Sequence, residues 1–455
     1  MRYAMSTANT ADDLQLENRV ATLLDLATKV GADAADATVF GSDQISVGRR
    51  MGQVETLERA DSAGVDLRVF VNGQIAQVSG SDLTDGGLER LAERAVGMAK
   101  YSPADPFAQL ADPEQLATEL PALETCDPVE PSTEDMLNRA AEAEEAMLGV
   151  EGITNSGGAS AGWTKSSLVI ATTNGFLGSV QSTRQGLSVS GIAGEGEAQK
   201  RDYDYSLAVY GEDLKDPREI GLEAGRRSVR QLGAKQGSTA QVPVIFEPRV
   251  AVRMFALLMG AINGESVVRG TSLLADHVGK PVIAPGLSVF EDPFKPRGQG
   301  SRPFDGEGLP VRKNTLFDQG ILTTHLHNLA TAKQAGVEPT GHASRGGASV
   351  GIGYANTWLS PSELSVEEML KDAGEAFYVT SLMGQGANMI TGDYSQGATG
   401  FWVRNGVLAE PVESMTLGGK LQDMWMAMST ASDLTWFGGM GAPTLQMTGL
   451  TIAGT

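Results

Sequence analysis

The sequence predicts an α+β protein: two smaller helix–strand–helix units followed by a larger C-terminal domain of mixed strands and helices. Three observations predict it. Helical and strand-like periods come in blocks and do not alternate regularly, so a doubly wound parallel sheet is not indicated. The 455 residues exceed what a single core usually serves. The 56 glycines are more than a helix-rich chain would carry, and they imply many turns and hairpins.

The first unit spans residues 12–100. Leu16, Val20, Leu23, Ala27 and Val30 recur at three- and four-residue steps, one face of an amphipathic helix that Gly31 is placed to end. Over residues 37–79 the pattern becomes strand-like, with Val65, Leu67 and Val69 alternating with polar or charged neighbours. Asn72-Gly73 supplies a tight hairpin turn before Ile75 and Val78. A second helix is expected over 83–100. Residues 101–131, rich in proline and acids and without a sustained period, read as a linker.

The second unit, residues 132–235, repeats this order. Ser132 with Asp135 resembles a capping box and opens a helix to about Leu148. Short strands follow over 153–210, with another Asn-Gly turn at Asn174-Gly175. Asp216-Pro217-Arg218-Glu219 then combines an N-cap, a proline at the first helical position and a capping glutamate, opening a helix to about Leu232. The repeated order suggests duplication, for which pattern alone is weak support. In the third unit, residues 241–455, residues 242–246 read as a buried strand and 249–262 as a helix with an almost wholly apolar centre. A Gly/Pro-rich loop covers 292–310, and one more helix lies near 365–373.

The formal net charge is −21, and no Lys/Arg stripe offsets it locally. Such a surface repels phosphate backbones and anionic headgroups, so neither nucleic acid nor a membrane is an expected partner. Cys126 is the one cysteine, which excludes an internal disulfide and makes a Cys-based zinc site nearly impossible. Its acidic, proline-rich setting raises a thiol pKa and does not activate it. The opening MRYAMSTANTADDLQLE has no apolar stretch of the secretory kind, and no run approaches 18 apolar residues. The cytoplasm is the expected compartment.

Chemistry has few places to sit. There are four histidines, His277, His325, His327 and His342, and no H-E-x-x-H or H-E-x-x-x-H, G-x-S-x-G or phosphate-loop motif. His325 and His327 are two apart, so on a strand both would face one side and could reach one metal. Two ligands do not make a zinc site, and the plainer reading is two polar residues on the solvent face of a hairpin after Asp318-Gln319-Gly320. Asp305 and Glu307 could act as paired acids, although turn chemistry explains them better in so Gly-rich a loop. Asp393, in Thr391-Gly392-Asp393-Tyr394-Ser395, is weighed the same way. Met424, Trp425, Met426 and Met428, with Trp402 and Trp436, could line a peptide groove or subunit interface, but core packing is the default.

Several segments together resemble the TldD/PmbA family, once called modulators of DNA gyrase. They are ERADSAGVDLRVFVNGQIAQVS at 58–79, KRDYDYSLAVYGEDL at 200–214, residues 241–274, residues 303–340 with PFDGEG, GIL and TAKQAG, and TGDYSQGATGFWVRNGVLAEPVESMTL at 391–417. The resemblance runs from about residue 20 to 453, and its specificity lies in five segments in the correct order. The family has two kinds of subunit. The TldD kind carries H-E-x-x-G-H on a helix after a P-V-V/I strand, and a late cysteine as a further zinc ligand. This chain keeps the strand (Pro243-Val244-Ile245-Phe246) and the following Arg269-Gly270-Thr271-Ser272. Where the motif should stand it reads Ala256-Leu257-Leu258-Met259-Gly260-Ala261. Ala256 and Ala261 replace both histidines, Leu257 replaces the glutamate, and WFGGM at 436–440 lacks the cysteine.

The resemblance therefore implies the TldE/PmbA kind of subunit, with no catalytic residues, no metal and no cofactor of its own. Its expected partner is a zinc-bearing TldD-type subunit, in a heterodimer that degrades or processes unfolded or short peptides, including peptide-microcin precursors and labile antitoxins. A homodimer in the partner's absence is compatible with it. Two other readings stay open: a self-sufficient hydrolase using residues such as His325, His327 and Asp305, and a binding or scaffold protein without a protease partner.

Overall fold

The computed structural model describes residues 11–454 apart from 348 and 385. Residues 1–10, on which the reading of the N-terminus largely rests, lie outside the described residues. The chain is α+β, with its larger strand-rich part at the C-terminal end.

The first helix, α1 (Ala11–Lys29), presents Val20, Leu23 and Ala27 inward, and Gly31 leaves it at φ +106°. Three strands follow: β1 (Ala34–Arg50), β2 (Gln53–Val71) and β3 (Gln74–Gly80). Asn72 and Gly73 both take positive φ (50° and 76°), the backbone twist a two-residue hairpin needs. Next come α2 (Asp85–Ala99), capped by Thr84, and α3 (Thr133–Leu148), where the Ser132 hydroxyl accepts the Asp135 N–H. Then β4 (Ile153–Thr172), β5 (Leu177–Ala193), β6 (Lys200–Ala208) and α4 (Pro217–Arg230) complete the repeat.

The two helix–strand–helix units share one antiparallel sheet in the order β3-β2-β1-β4-β5-β6. The two halves join through their first strands, Val39 opposite Val169 and Ile45 opposite Trp163. All four helices cover one face of this sheet. Val39, Val65 and Val169 face α1 and α2, while Val47, Trp163 and Leu187 face α3 and α4. The other face was expected to be the polar one, yet Asp66 and Arg68 on β2 are buried.

Residues 101–131 form a short 3-10 turn at Pro113–Gln115 and an isolated bridge from Ala104 to Gln74, and they are pinned along their length. The Ala117 N–H reaches Gly308 O at 2.9 Å, and Thr125 O takes the Thr183 N–H at 2.9 Å. The Asp127 carboxylate receives Gln185 Nε2 and the Gly211 N–H, each at 2.9 Å.

In the C-terminal part, β7 (Val244–Phe246) lies wholly buried between a parallel strand, Ala376–Met383, and an antiparallel one, Leu445–Met447. It feeds α5 (Pro248–Ala261) and then the short α6 (Gly264–Val268). Further along, α7 (Leu329–Ala335) is capped by Asn328. Among the described residues no helix is long and apolar enough to cross a membrane.

Candidate functional site

α5 is built to lie against the C-terminal core. Pro248 pre-sets its first turn. Val250, Met254, Phe255, Leu258 and Met259 recur at helical spacing and are all buried. The opposite face is open: Arg253, Ala256 and Gly260 are exposed and Leu257 is half-buried. Ala261, at the last turn, is only 1% exposed. α5 packs against the strands Thr435–Phe437 and Met440–Ala442. The helix and segment 436–440, far apart in sequence, are therefore neighbours in space.

The donor set at this place does not fit a zinc ion. Methyl and isobutyl groups at Ala256, Leu257 and Ala261 have no lone pair to give. Among the described residues no three His, Cys, Asp or Glu side chains are grouped to hold a metal.

The start of α5 is tied to the six-stranded sheet by a charged knot. Arg249 holds both carboxylate oxygens of Asp202 on β6, at 2.7 and 2.9 Å, and also bonds Glu247. Arg227 of α4 reaches the same Glu247 at 3.2 Å. Burial pushes the Glu247 carboxyl up, with the two guanidiniums pulling against it. Burial also opposes the charge on Arg249, but Asp202 and Glu247 outweigh it and hold that residue above its usual value.

His325 and His327 do not lie on a strand or in water. The hairpin after Asp318 ends at Leu322, and both imidazoles are buried behind the α5–α6 junction, correcting the solvent-face reading. The reason is backbone pairing: the Leu326 N–H donates to Ile262 O at 2.9 Å and the Gly264 N–H to Leu326 O at 2.8 Å, drawing the loop inward. The rings stand edge to face, 6.1 Å apart. His325 Nε2 lies 3.0 Å from Leu274 O, and His327 Nδ1 lies 3.2 Å from Thr331 Oγ1. Burial lowers both pKa values, and His327 falls to about 4 with His325 and His342 adding to the effect.

His342 extends the cluster. Its Nε2 lies 2.8 Å from Glu291 Oε2 and its Nδ1 2.8 Å from Thr340 Oγ1. A hydroxyl, an imidazole and a carboxylate in this order resemble a nucleophile relay. Here the Thr340 hydroxyl receives the His327 N–H at 2.7 Å and donates to His327 O at 3.1 Å, so it stitches the loop together.

Asp305 and Glu307 are buried and serve the backbone. Asp305 accepts N–H groups from Glu307, Leu309 and Ala343 at 2.9–3.0 Å. Glu307 accepts the Leu329 N–H at the start of α7 at 2.8 Å and pairs with Arg68 at 3.1 Å. Arg68 also binds Asp36, and Arg345 stands 2.7 Å from Asp36 Oδ1 as an ion pair outside hydrogen-bond alignment. This seam escaped sequence reasoning. Its one signal was charged residues within the apolar runs of β1 and β2.

Asp393 is exposed, bonded to Thr391 and to Lys420 at 2.7 Å, in a turn role. Met424, Trp425, Met428 and Trp402 are buried in the core, whereas Met426 is exposed. Trp436 is half-buried against Trp358, with Lys295 over its ring at 4.7 Å. Cys126 is half-buried, its Sγ 3.8 Å from Asp127 O.

This fold has counterparts among known proteins. Three family descriptions match in succession: the PmbA/TldA metallopeptidase domain 1 over residues 35–99, the central domain over 126–232 and the C-terminal domain over 239–454. The chain belongs to the PmbA/TldD metallopeptidase family. It is 36% identical over 419 residues to metalloprotease PmbA of Escherichia coli, covering 92% of this chain and 91% of that protein. It is 34% identical to the metalloprotease PmbA homolog of Haemophilus influenzae, covering 93% and 92%. The crystal structure of a putative modulator of DNA gyrase from Bacteroides thetaiotaomicron superposes with a TM-score of 0.90 at 26% identity, covering 98% of this chain and all of that one. TldE from Thermococcus kodakarensis, 19% identical, shares the fold with a TM-score of 0.85, over 96% of this chain and all of that one.

Proposed function

We propose that this chain is the non-catalytic, TldE/PmbA-type subunit of a two-subunit zinc metallopeptidase acting on unfolded or short peptides in the cytoplasm. The observation that carries the reading is the open face of α5. It holds Ala256, Leu257 and Gly260, residues with no side-chain group that can ligate zinc or take a proton from a water. Zinc and the general base would come from a TldD-type partner. This chain would supply structural support and part of the substrate path. The acidic surface argues against direct action on DNA.

The test is peptide cleavage by the chain alone and with its H-E-x-x-x-H homologue, with zinc quantified in both samples. Cleavage and zinc only in the mixture are expected. Zinc and activity in the chain alone would overturn the reading.

A further inference from the structure

On the sheet face opposite the helices, the strand ladder breaks at two places that meet. In β2, Glu55 is an extra residue, since Arg49 pairs with Val54 and Gly48 with Thr56. In β4, Gly157 is an extra residue, since Ser156 pairs with Gly191 and Gly158 with Ser190. Bulges bend a strand and re-aim its side chains, and they recur beside binding sites. Both open onto one cavity of 570 Å³ with Arg49 and Arg201 in its wall.

The two arginines are held without being neutralised. Arg201 Nε donates to Ser190 Oγ at 2.8 Å. Gly157 makes room for this: a Cβ there would stand 3.1 Å from Arg201 Nη2 and 2.8 Å from Ser190 Oγ. Arg49 gives Nη2 to Gly52 O at 3.0 Å, while its Nε is buried without a hydrogen-bond partner. Among the described ion pairs neither arginine has a carboxylate, although Glu55 also lines the cavity. The Ser160 and Ser188 hydroxyls bond each other at 3.0 Å, which leaves one O–H of the pair as a further donor. Planar guanidinium forks with hydroxyls beside them match a carboxylate.

From this cavity an aromatic path leads to the candidate site. Tyr203 on its rim stacks on Tyr205 at 6.0 Å, and Tyr205 meets Phe437 at 6.3 Å. Phe437 lies on a strand packed against α5, and Arg249 at the start of α5 stands 5.3 Å over the Tyr203 ring. Such rings offer apolar contact to an extended chain without asking for a particular sequence.

We propose that this pocket binds the C-terminal carboxylate of an extended peptide and directs the chain across Tyr203 and Tyr205 toward α5. The proposal rests on the reading of this chain as a peptide-handling subunit. It is tested by fluorescence anisotropy on the full chain alone, with one labelled unstructured peptide made as free acid and as C-terminal amide. The free acid should bind about tenfold tighter or more, the worth of one charge-assisted bond. Arg201→Ala and Arg49→Gln should each abolish that preference, and Gly157→Ala should weaken it by displacing Arg201, with melting temperatures confirming that the variants fold. Equal binding of acid and amide, no binding of either, or an unchanged preference in folded Arg201→Ala would overturn the proposal. So would displacement by inorganic phosphate at concentrations equal to the peptide's, which would make this a phosphate site. Cleavage with the partner subunit but equal binding of acid and amide would sink this pocket alone and leave the functional reading standing.

Discussion

Along the seam between the six-stranded sheet and the C-terminal domain, burial of polar groups is met by pairing. In the His325–His327 pair behind the α5–α6 junction it is met by loss of charge. At the seam, burial alone would raise the Asp36 carboxyl, but Arg345 and Arg68 outweigh it and hold the pKa below the ordinary range. Among the described residues no carboxylate is bonded to His325 or His327, and burial pushes both toward the neutral form. These are the two ways a protein interior tolerates an ionisable group. The first fixes the relation between two parts of the chain. The second makes the fold sensitive to mild acid.

The largest effect should come from breaking the pairing. Asp36→Ala leaves Arg68 and Arg345 buried with one carboxylate, Glu307, between them. Removing one partner from a buried ion pair costs roughly 3–5 kcal/mol, so denaturant unfolding should show a loss of that size. A loss below about 1 kcal/mol would mean that water enters the seam and screens its charges.

The seam also shows where the sequence stopped speaking. Helices α1 to α5 and the one near 365–373, the turns at 72–73 and 174–175, and the caps at Ser132 and Asp216 were legible, because each depends on residues within a few positions of one another. The short helices α6 and α7 were not. The alternation in β2 was legible too, but the fate of its polar face was not. Arg68 looks like a solvent-facing residue until a loop more than two hundred positions away brings Glu307 to it. The same holds for His325 and His327, whose two-residue spacing suggested a strand while their burial comes from pairing with the end of α5. The place of α5 as the helix that would carry the family's motif came from a resemblance and from no local pattern. That α5 and residues 436–440 lie side by side is a tertiary fact that no local pattern carries.

The neutral cluster predicts the next largest effect. His327 has a folded pKa of about 4 against an ordinary value of 6.5. The unfolded chain therefore binds its proton first. The stability linked to His327 is fully present above pH 6.5 and is lost as pH falls from 6.5 toward 4. The loss should be roughly 1–3 kcal/mol, read as the difference between the stability–pH curves of the wild type and His327→Gln. Parallel curves across that window would show that the ring keeps its solution pKa.

The smallest effect separates both buried regions from the open face of α5. Ala256 is exposed and Ala261 is 1% exposed on the same helix, although both stand where the family resemblance puts a histidine. Ala261→His must force a ring into a packed core, at a cost of about 1–3 kcal/mol. Ala256→His adds its ring to the surface, where substitutions usually stay within about 0.5 kcal/mol. One imidazole gives zinc a single donor, so Ala256→His should also bind no stoichiometric zinc. Both outcomes can be read on one purified protein, by thermal unfolding and metal analysis. Zinc retained by Ala256→His would mean that further donors converge on α5, and would count against the proposed non-catalytic role.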